Sequence, residues 1–234
     1  MKGRNGLQVT LEGGLLMKQI ADKWAKFAIL KAHSGVAKHI PDTRRYSREH
    51  LSAMLGKYSF IVAKPVVGTG GSGVVRISRG PSAGYRVQYG TSVRQAANLD
   101  TVERILAGIR GKRAYMLQQG IRLSTVQGKP LDYRVKLVKE NGSWRIRAVV
   151  ARIARPGLFV TNLCRGGTMV GGNRALRMTF PALARDKHAT MVGVARSGTS
   201  LLEAKYPGIG ALGFDFGIDK GGTVWILEVN TRPH

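Results

Sequence analysis

The chain has 234 residues, 43% of them hydrophobic, enough for a sizeable core in one large domain or two lobes. Its 38 Lys+Arg against 13 Asp+Glu give a formal net charge of +25, a field that draws polyanions and acidic or phosphorylated ligands. No apolar run is long enough to span a bilayer, no signal-peptide core stands at the N-terminus, and the single cysteine, Cys164, excludes an internal disulfide, so a reducing, cytoplasmic compartment is expected. Residues 1–13 are Gly-rich and read as a flexible leader. From Leu15 to about His33, Leu16, Ile20, Trp24, Phe27 and Leu30 recur at helical spacing. HIPDTRRYS reads as a connector, and Ser47 is placed to cap a second helix running to about Lys57. YSFIVAKP is a strand stopped by Pro65, followed by the loop GTGGSG and the strands VVRIS and GYRVQYG.

Leu99 to Gly111 is an amphipathic helix and AYMLQ another strand. DYRVKLVKENGSWRIRAVVARI reads as two strands joined by a hairpin turn at Asn141-Gly142. LFVTNL is expected to be a strand and RGGTMVGGN a glycine-rich loop. A long helix is expected from Pro181 to about Tyr206, interrupted near Gly198, before a closing hairpin. Strands outnumber helices and come in hairpins, which is an α+β pattern with a lobe boundary near 118–120.

The closing hairpin GFDFGIDKGGTVWILEVN carries chemistry. With Gly221-Gly222 as a two-residue turn, Asp215 faces Glu228, Phe214 faces Val229, Phe216 faces Leu227 and Ile218 faces Trp225. One face is then apolar, and the other carries Asp215, Glu228 and Asn230. Facing carboxylates ~5 Å apart repel by about 3 kcal/mol at an effective dielectric of ~20. A hard divalent cation removes that cost, and Mg²⁺ is usually held by one or two carboxylates plus substrate phosphates. An ordinary hairpin with a solvated acidic face fits the same residues.

Gly68–Gly73 lies between two strands, where glycines let backbone amides approach phosphate oxygens. It is not a Walker A loop, because no Lys-Ser/Thr and no helix follow. A Rossmann loop would open into a helix. A kinase would place its lysine after the loop and carry an HRD segment, although Asp215-Phe216-Gly217 spells DFG. A strand–loop–strand flap over a triphosphate remains, with a flexible hairpin turn as the plain alternative; Lys64, just before it, is a candidate phosphate partner. The five histidines are scattered without a ligand spacing. The basic residues are spread along the chain without a helix-turn-helix, zinc-finger or RNP1 pattern, so weak, salt-dependent polyanion binding is expected rather than sequence reading.

The order AKP, GTGGSG, a middle set of polar strands and a DF…EVN hairpin resembles the ATP-grasp superfamily. Within it, HIPDT, IVAKPVVGTGGSGVVRI, MLQQGI, DYRVKLV, RIRAVVARIA, VTNLCRGG and GIDKGGTVWILEVNTRP are similar to the YheC/YheD endospore coat-associated family over about Leu15 to Pro233. The resemblance implies an ATP-grasp domain over 14–234, with two α+β lobes, mainly antiparallel sheets, and ATP between them. It implies ATP- and Mg²⁺-dependent coupling of a carboxylate to an amine through an acyl phosphate. Lys64, Gly70, Gly71, Ser72 and Gly73 would hold phosphates, Gln119 and Gly120 the adenine, Asp132 the ribose side, and Asn162 the nucleotide. Arg134 and Arg152 would face the transferring phosphoryl group, and Asp215, Glu228 and Asn230 would bind Mg²⁺. The positive charge suits an acidic small-molecule or peptide substrate, and the family implies association with the spore coat. A coat or scaffold protein that keeps the fold without turnover, and a basic polyanion-binding protein, are the other two readings.

Overall fold

The chain builds two antiparallel sheets in succession, each with one face against helices and the other turned toward a shared cleft. The computed structural model describes residues 19–80, 84–155, 157, 159, 161 and 167–233. The elements begin with α1 (Lys23–Lys31), α2 (Ser34–Ala37), β1 (Thr43–Arg45), α3 (Arg48–Lys57), β2 (Phe60–Pro65) and β3 (Val75–Arg79). They continue with β4 (Tyr85–Tyr89), β5 (Ser92–Ala96), α4 (Leu99–Arg110), β6 (Tyr115–Gln119), β7 (Thr125–Val126), β8 (Lys129–Glu140) and β9 (Ser143–Ile153). The last are β10 (Thr168–Gly171), α5 (Gly172–Thr179), a 3-10 turn (Pro181–Leu183), α6 (Ala184–Lys205), β11 (Ala211–Ile218) and β12 (Val224–Asn230). No described helix is long and apolar enough to cross a membrane.

The first sheet runs β1-β6-β2-β3-β4-β5 and packs one face on α3 and α4, burying Leu51, Leu55, Ile61, Ile77, Val102 and Leu106. The second runs β10-β9-β8-β11-β12 and rests on α1, α5 and α6 through Phe27, Leu30, Leu176, Leu202, Phe214 and Phe216. Each fully buried Leu or Phe contributes roughly 1.5–3 kcal/mol, which anchors the sheets to their helices. Strict alternation then turns the other residues of each strand to the opposite face: Phe60, Val62 and Lys64 from β2, Asp132 from β8 and Asp215 from β11 line the cleft, while Arg134 of β8 shares their face without lining the cavity.

Local signals place most helix starts. Asp22, Ser47 and Asn98 accept from Ala25, His50 and Thr101 amides respectively, so each caps its helix. The first helix is shorter than its periodicity suggests: it starts at Lys23, and Ile20 instead donates its amide to Thr231 Oγ1 at 2.9 Å. The connector HIPDTRRYS hides β1, and the segment after Gly90 forms β5, a strand that its exposed, polar residues do not announce. Described residues of RGGTMVGGN form β10 and the start of α5 rather than a loop. The leader 1–13 and most of LFVTNL lie outside the described residues, and Phe159 and Thr161 are not in a strand. Helix α6 passes through Gly198 without a break. A Cβ there would meet the Phe214 ring at 2.7 Å, so this glycine lets helix and sheet approach closely.

The Asn141-Gly142 turn forms as expected, with φ of 48° and 80°. The closing hairpin turns differently. Gly222 has φ 83° and donates to the Asp219 carbonyl, which makes a three-residue loop and pairs Ile218 with Val224 and Phe216 with Ile226. A bulge between Asp215 and Phe216 then absorbs Leu227 and restores the Asp215–Glu228 and Phe214–Val229 pairs. Two irregularities cancel, so the acidic pairing is the expected one while the pairing nearer the turn is not.

Candidate functional site

Between the two sheets lies a cavity of ≈ 440 Å³. Lys64, Gly71, Ser72, Asp132, Arg152, Asp215 and Glu228 all line it, so the glycine loop and the closing hairpin meet in one cleft. Phe60, Val62, Ile121, Leu123 and Leu227 give the same cavity an apolar wall, and Gln119 stands at the hinge between the sheets. A cleft with a cationic, glycine-lined part and an apolar part suits a ligand that is charged at one end and flat and apolar at the other.

The glycine loop is built for tight turning: Gly70, Gly71 and Gly73 have φ of 64°, 70° and 77°. A side chain at Gly73 would collide with the Tyr115 hydroxyl at 2.5 Å, and that hydroxyl donates to the Gly73 carbonyl at 2.7 Å, tying the loop's end to β6. Lys64 is buried and bridges the sheets, donating to Gln118 Oε1 at 2.6 Å and to the Leu227 carbonyl at 3.1 Å. The bulge thus supplies an anchor for this lysine. Burial pushes the Lys64 amine down to about 8; Glu228 opposes that shift, Lys23 adds to it and Asp215 opposes it.

On the second sheet charges alternate from strand to strand. Arg134 on β8 faces Asp215 on β11, which faces Glu228 on β12. Arg134 forms a two-point contact with Asp215, Nε to Oδ1 at 2.7 Å and Nη2 to Oδ2 at 2.9 Å. Arg152 donates through Nε to Asp132 at 2.8 Å, pairs with it again through Nη2, and lies 3.1 Å from Asp215 Oδ2. Burial pulls the Arg152 guanidinium down, and Asp215 and Asp132 more than reverse that, so it stays charged. Asp132 is raised by burial, against which Arg152 pulls. The expected repulsion between Asp215 and Glu228 is therefore relieved without a metal: two guanidinium groups hold Asp215, and Lys23 lies 3.4 Å from Glu228. Among the described residues no group of three or more His, Cys, Asp or Glu could hold a metal ion.

The other expected positions fall around this centre. Asn230 donates its amide to Asp215 at 3.3 Å. Gly120 packs under Phe60, where a Cβ would meet the ring at 2.2 Å, and turns away from the main cavity. Gly70 and Gly73 shape the loop, while Gly71 and Ser72 form its cavity surface. Asn162 lies outside the described residues. Sequence reasoning missed Lys23, whose Nζ donates to the Gly68 carbonyl and so ties α1 to the glycine loop. It also missed Arg76, Arg122 and Lys220, which line the cavity. Arg76 carried a usable signal, since it pairs with Val62 across β2 and β3 and must share its face; Lys23 had none beyond being one lysine among many.

Two sheets closing on a cleft of this make-up define an ATP-grasp fold. Among solved structures the chain is similar to N5-carboxyaminoimidazole synthase from Aspergillus clavatus in complex with ADP and 5-aminoimidazole ribonucleotide, with a TM-score of 0.58 and 10% identity over 93% of this chain and 46% of that one. It is also similar to an L-amino acid ligase from Bacillus licheniformis, with a TM-score of 0.55 and 14% identity over 91% of this chain and 40% of that one. At these identities the likeness is one of fold. The family is narrower: the YheC/D like ATP-grasp model matches residues 15–234, and the chain belongs to that family. Its curated relatives in Bacillus subtilis include endospore coat-associated protein YheD, 28% identical over 92% of this chain and 49% of the relative. Endospore coat-associated protein YheC is 25% identical over 92% of this chain and 60% of the relative. The chain thus spans about half the length of the curated relatives it matches.

Proposed function

We propose that the cleft binds ATP with Mg²⁺ and couples a carboxylate to an amine, the acid first taking the γ-phosphoryl group with release of ADP. The acyl phosphate then acylates the amine and releases phosphate. What carries the reading is the meeting of Lys64, Gly71, Ser72, Arg152, Asp215 and Glu228 in one cavity with an apolar wall beside them. Lys64 and the glycine-loop amides hold phosphates, Gln119 and the apolar wall hold the base, and Asp132 stands on the ribose side. Arg134 and Arg152 are already fixed by carboxylates; Arg152, which lines the cavity, meets charge growing on the transferring oxygens with little reorganisation, and Arg134 adds positive charge from beside it, through Asp215. The acid substrate is an anionic small molecule or peptide, in keeping with the charge of +25.

Glu228 is the more available magnesium ligand: it lines the cleft, its side chain is 25% exposed, and its ion pair is a single contact with Lys23 at 3.4 Å. Asp215 has its oxygens engaged by Arg134 and Arg152, so its share in a metal site requires giving up a guanidinium contact. Bound there, magnesium would neutralise phosphate charge. Titration calorimetry with ATP, with and without Mg²⁺, tests this. Wild type is expected to bind more tightly with the metal, and Glu228→Gln to lose most of that difference. ATP binding indifferent to both would sink the metal site.

The engagement of Asp215 also favours a second reading, a coat-associated protein that binds nucleotide without turnover. ADP release on supplying carboxylates and amines separates the two. Location at the spore coat is the partner proposal that the relatives' names support.

A further inference from the structure

Three arginines near the hinge of the cleft lack what the other cleft arginines have. Arg76 on β3 and Arg122 after β6 line the main cavity, and Arg86 on β4 shares Arg76's sheet face because Gln88, two residues on, pairs with Arg76. The Arg76 guanidinium lies 4.1 Å over the Phe60 ring. Among the described residues no carboxylate lies within ion-pair distance of Arg76, Arg86 or Arg122. Burial first, then Arg86, then Arg122 push the Arg76 guanidinium below its ordinary range. A second cavity of ≈ 420 Å³ adjoins the first at Gln119, Ile121, Arg122 and Lys220, and adds Lys57. Its one lining acid, Asp219, already accepts from the Thr223 amide at 2.9 Å and from Trp225 Nε1 at 2.8 Å.

The cavity wall continues outward as a shelf. Val62, Arg76, Gln88 and Val93 pair in one row across β2, β3, β4 and β5, and Phe60, Ser78, Arg86 and Gln95 in the next. Arg86, Val93 and Gln95 are exposed. Beyond Phe60, which Arg76 covers, these rows hold no aromatic ring; Tyr85 and Tyr89 alternate to the other face with Val87. Nucleic acid would find phosphate partners on these rows but no free ring on which to stack bases; Phe159, Tyr58 and Trp225, which line the two cavities, lie off the rows. Gln88 already donates to the Gly90 and Gly157 carbonyls, each at 3.3 Å, which leaves the guanidinium forks and the Gln95 amide to match carboxylates and peptide groups.

The geometry points to a docking shelf for an acidic peptide, whose side-chain carboxylates sit on Arg86, Arg76 and Arg122 and whose chain leads into the cleft. This names the class of acid substrate and rests on the ligase reading for what happens inside the cleft; the shelf itself does not require ATP.

Anisotropy of a fluorescein-labelled oligoglutamate peptide on the whole chain, at fixed ionic strength, tests it. Reversing an exposed charge that meets a carboxylate, Arg86→Glu or Arg122→Glu, is expected to weaken binding about tenfold. Arg174→Glu makes the same change on α5, whose residues do not line the cleft, and is expected to weaken it by less than about twofold. Equal weakening by all three variants overturns the shelf in favour of diffuse charge. Tighter binding of a single-stranded oligonucleotide of equal charge overturns the peptide assignment. Calorimetry with ATP on the same protein separates the two proposals. ATP binding without peptide binding ends the shelf alone, and peptide binding without ATP binding ends the nucleotide reading alone.

Discussion

The two parts of the cleft treat positive charge in opposite ways. In the part lined by β8, β11 and β12, Arg134, Arg152 and Lys23 each face a carboxylate on a neighbouring element. On the side of the first sheet, Arg76 and Arg86 share one sheet face, Arg76 and Arg122 line the same cavity, and no carboxylate of the described residues pairs with any of the three. The first arrangement is neutralised within the chain, so it folds ready and its guanidinium groups hold their places. The second carries a cost that a ligand's negative charge would remove. Charge paired inside the chain belongs to the framework; charge left unpaired around a cavity points outward to a ligand.

The comparison breaks most visibly at Arg152. Replacing it by Met strips Asp132 and Asp215 of a shared partner and leaves them buried, at a cost of about 3–5 kcal/mol in urea unfolding. Arg86→Gln, exposed and without a carboxylate partner, is expected to cost less than about 0.5 kcal/mol. Similar losses in the two variants would erase the distinction.

Lys64→Met comes next. Losing a charge-assisted contact worth roughly 1.5–3 kcal/mol lowers ATP affinity about tenfold or more in calorimetry; unchanged affinity would move the phosphates elsewhere. The same lysine sets a pH dependence. With its amine pushed down to about 8, it is largely neutral above that pH in the free protein, and phosphates favour the charged form. ATP binding should therefore take up a proton above pH 8 and weaken as pH rises, which binding heats in two buffers of different ionisation enthalpy would reveal. In the free chain the unfolded state holds the extra proton between pH 8 and 10.5, so this group's contribution to stability rises across that window. The smallest effect is expected at Arg122→Gln, which relieves repulsion at the hinge and raises unfolding free energy by up to about 0.5 kcal/mol. A drop instead would show that Arg122 holds the hinge together.

Much of the fold was legible because its signals are local. The caps Asp22, Ser47 and Asn98 act within one helical turn, Asn141-Gly142 within one hairpin turn, and Phe214, Phe216 and Ile218 declare their face by alternation. Strand β5 was not legible, since four of its five residues are exposed and its pairing with β4 comes from backbone geometry. The Asp215–Glu228 pairing was reached through a turn and a bulge that offset each other; Gly221-Gly222 suits a two-residue or a three-residue loop alike, and the bulge leaves no mark in residue type.

By itself the sequence determined the longer helices and the apolar-faced strands, though not β1, β5 or β10, and that cations outnumber anions. Tertiary structure alone decided which cations are satisfied. Arg134 and Asp215 are 81 positions apart yet meet at 2.7 Å, whereas Arg76 and Arg86 lie within one hairpin and find no acid among the described residues. Caps and alternation act over a few bonds of chain, but Coulomb energy depends on separation in space, and that distance exists only once the sheets have closed.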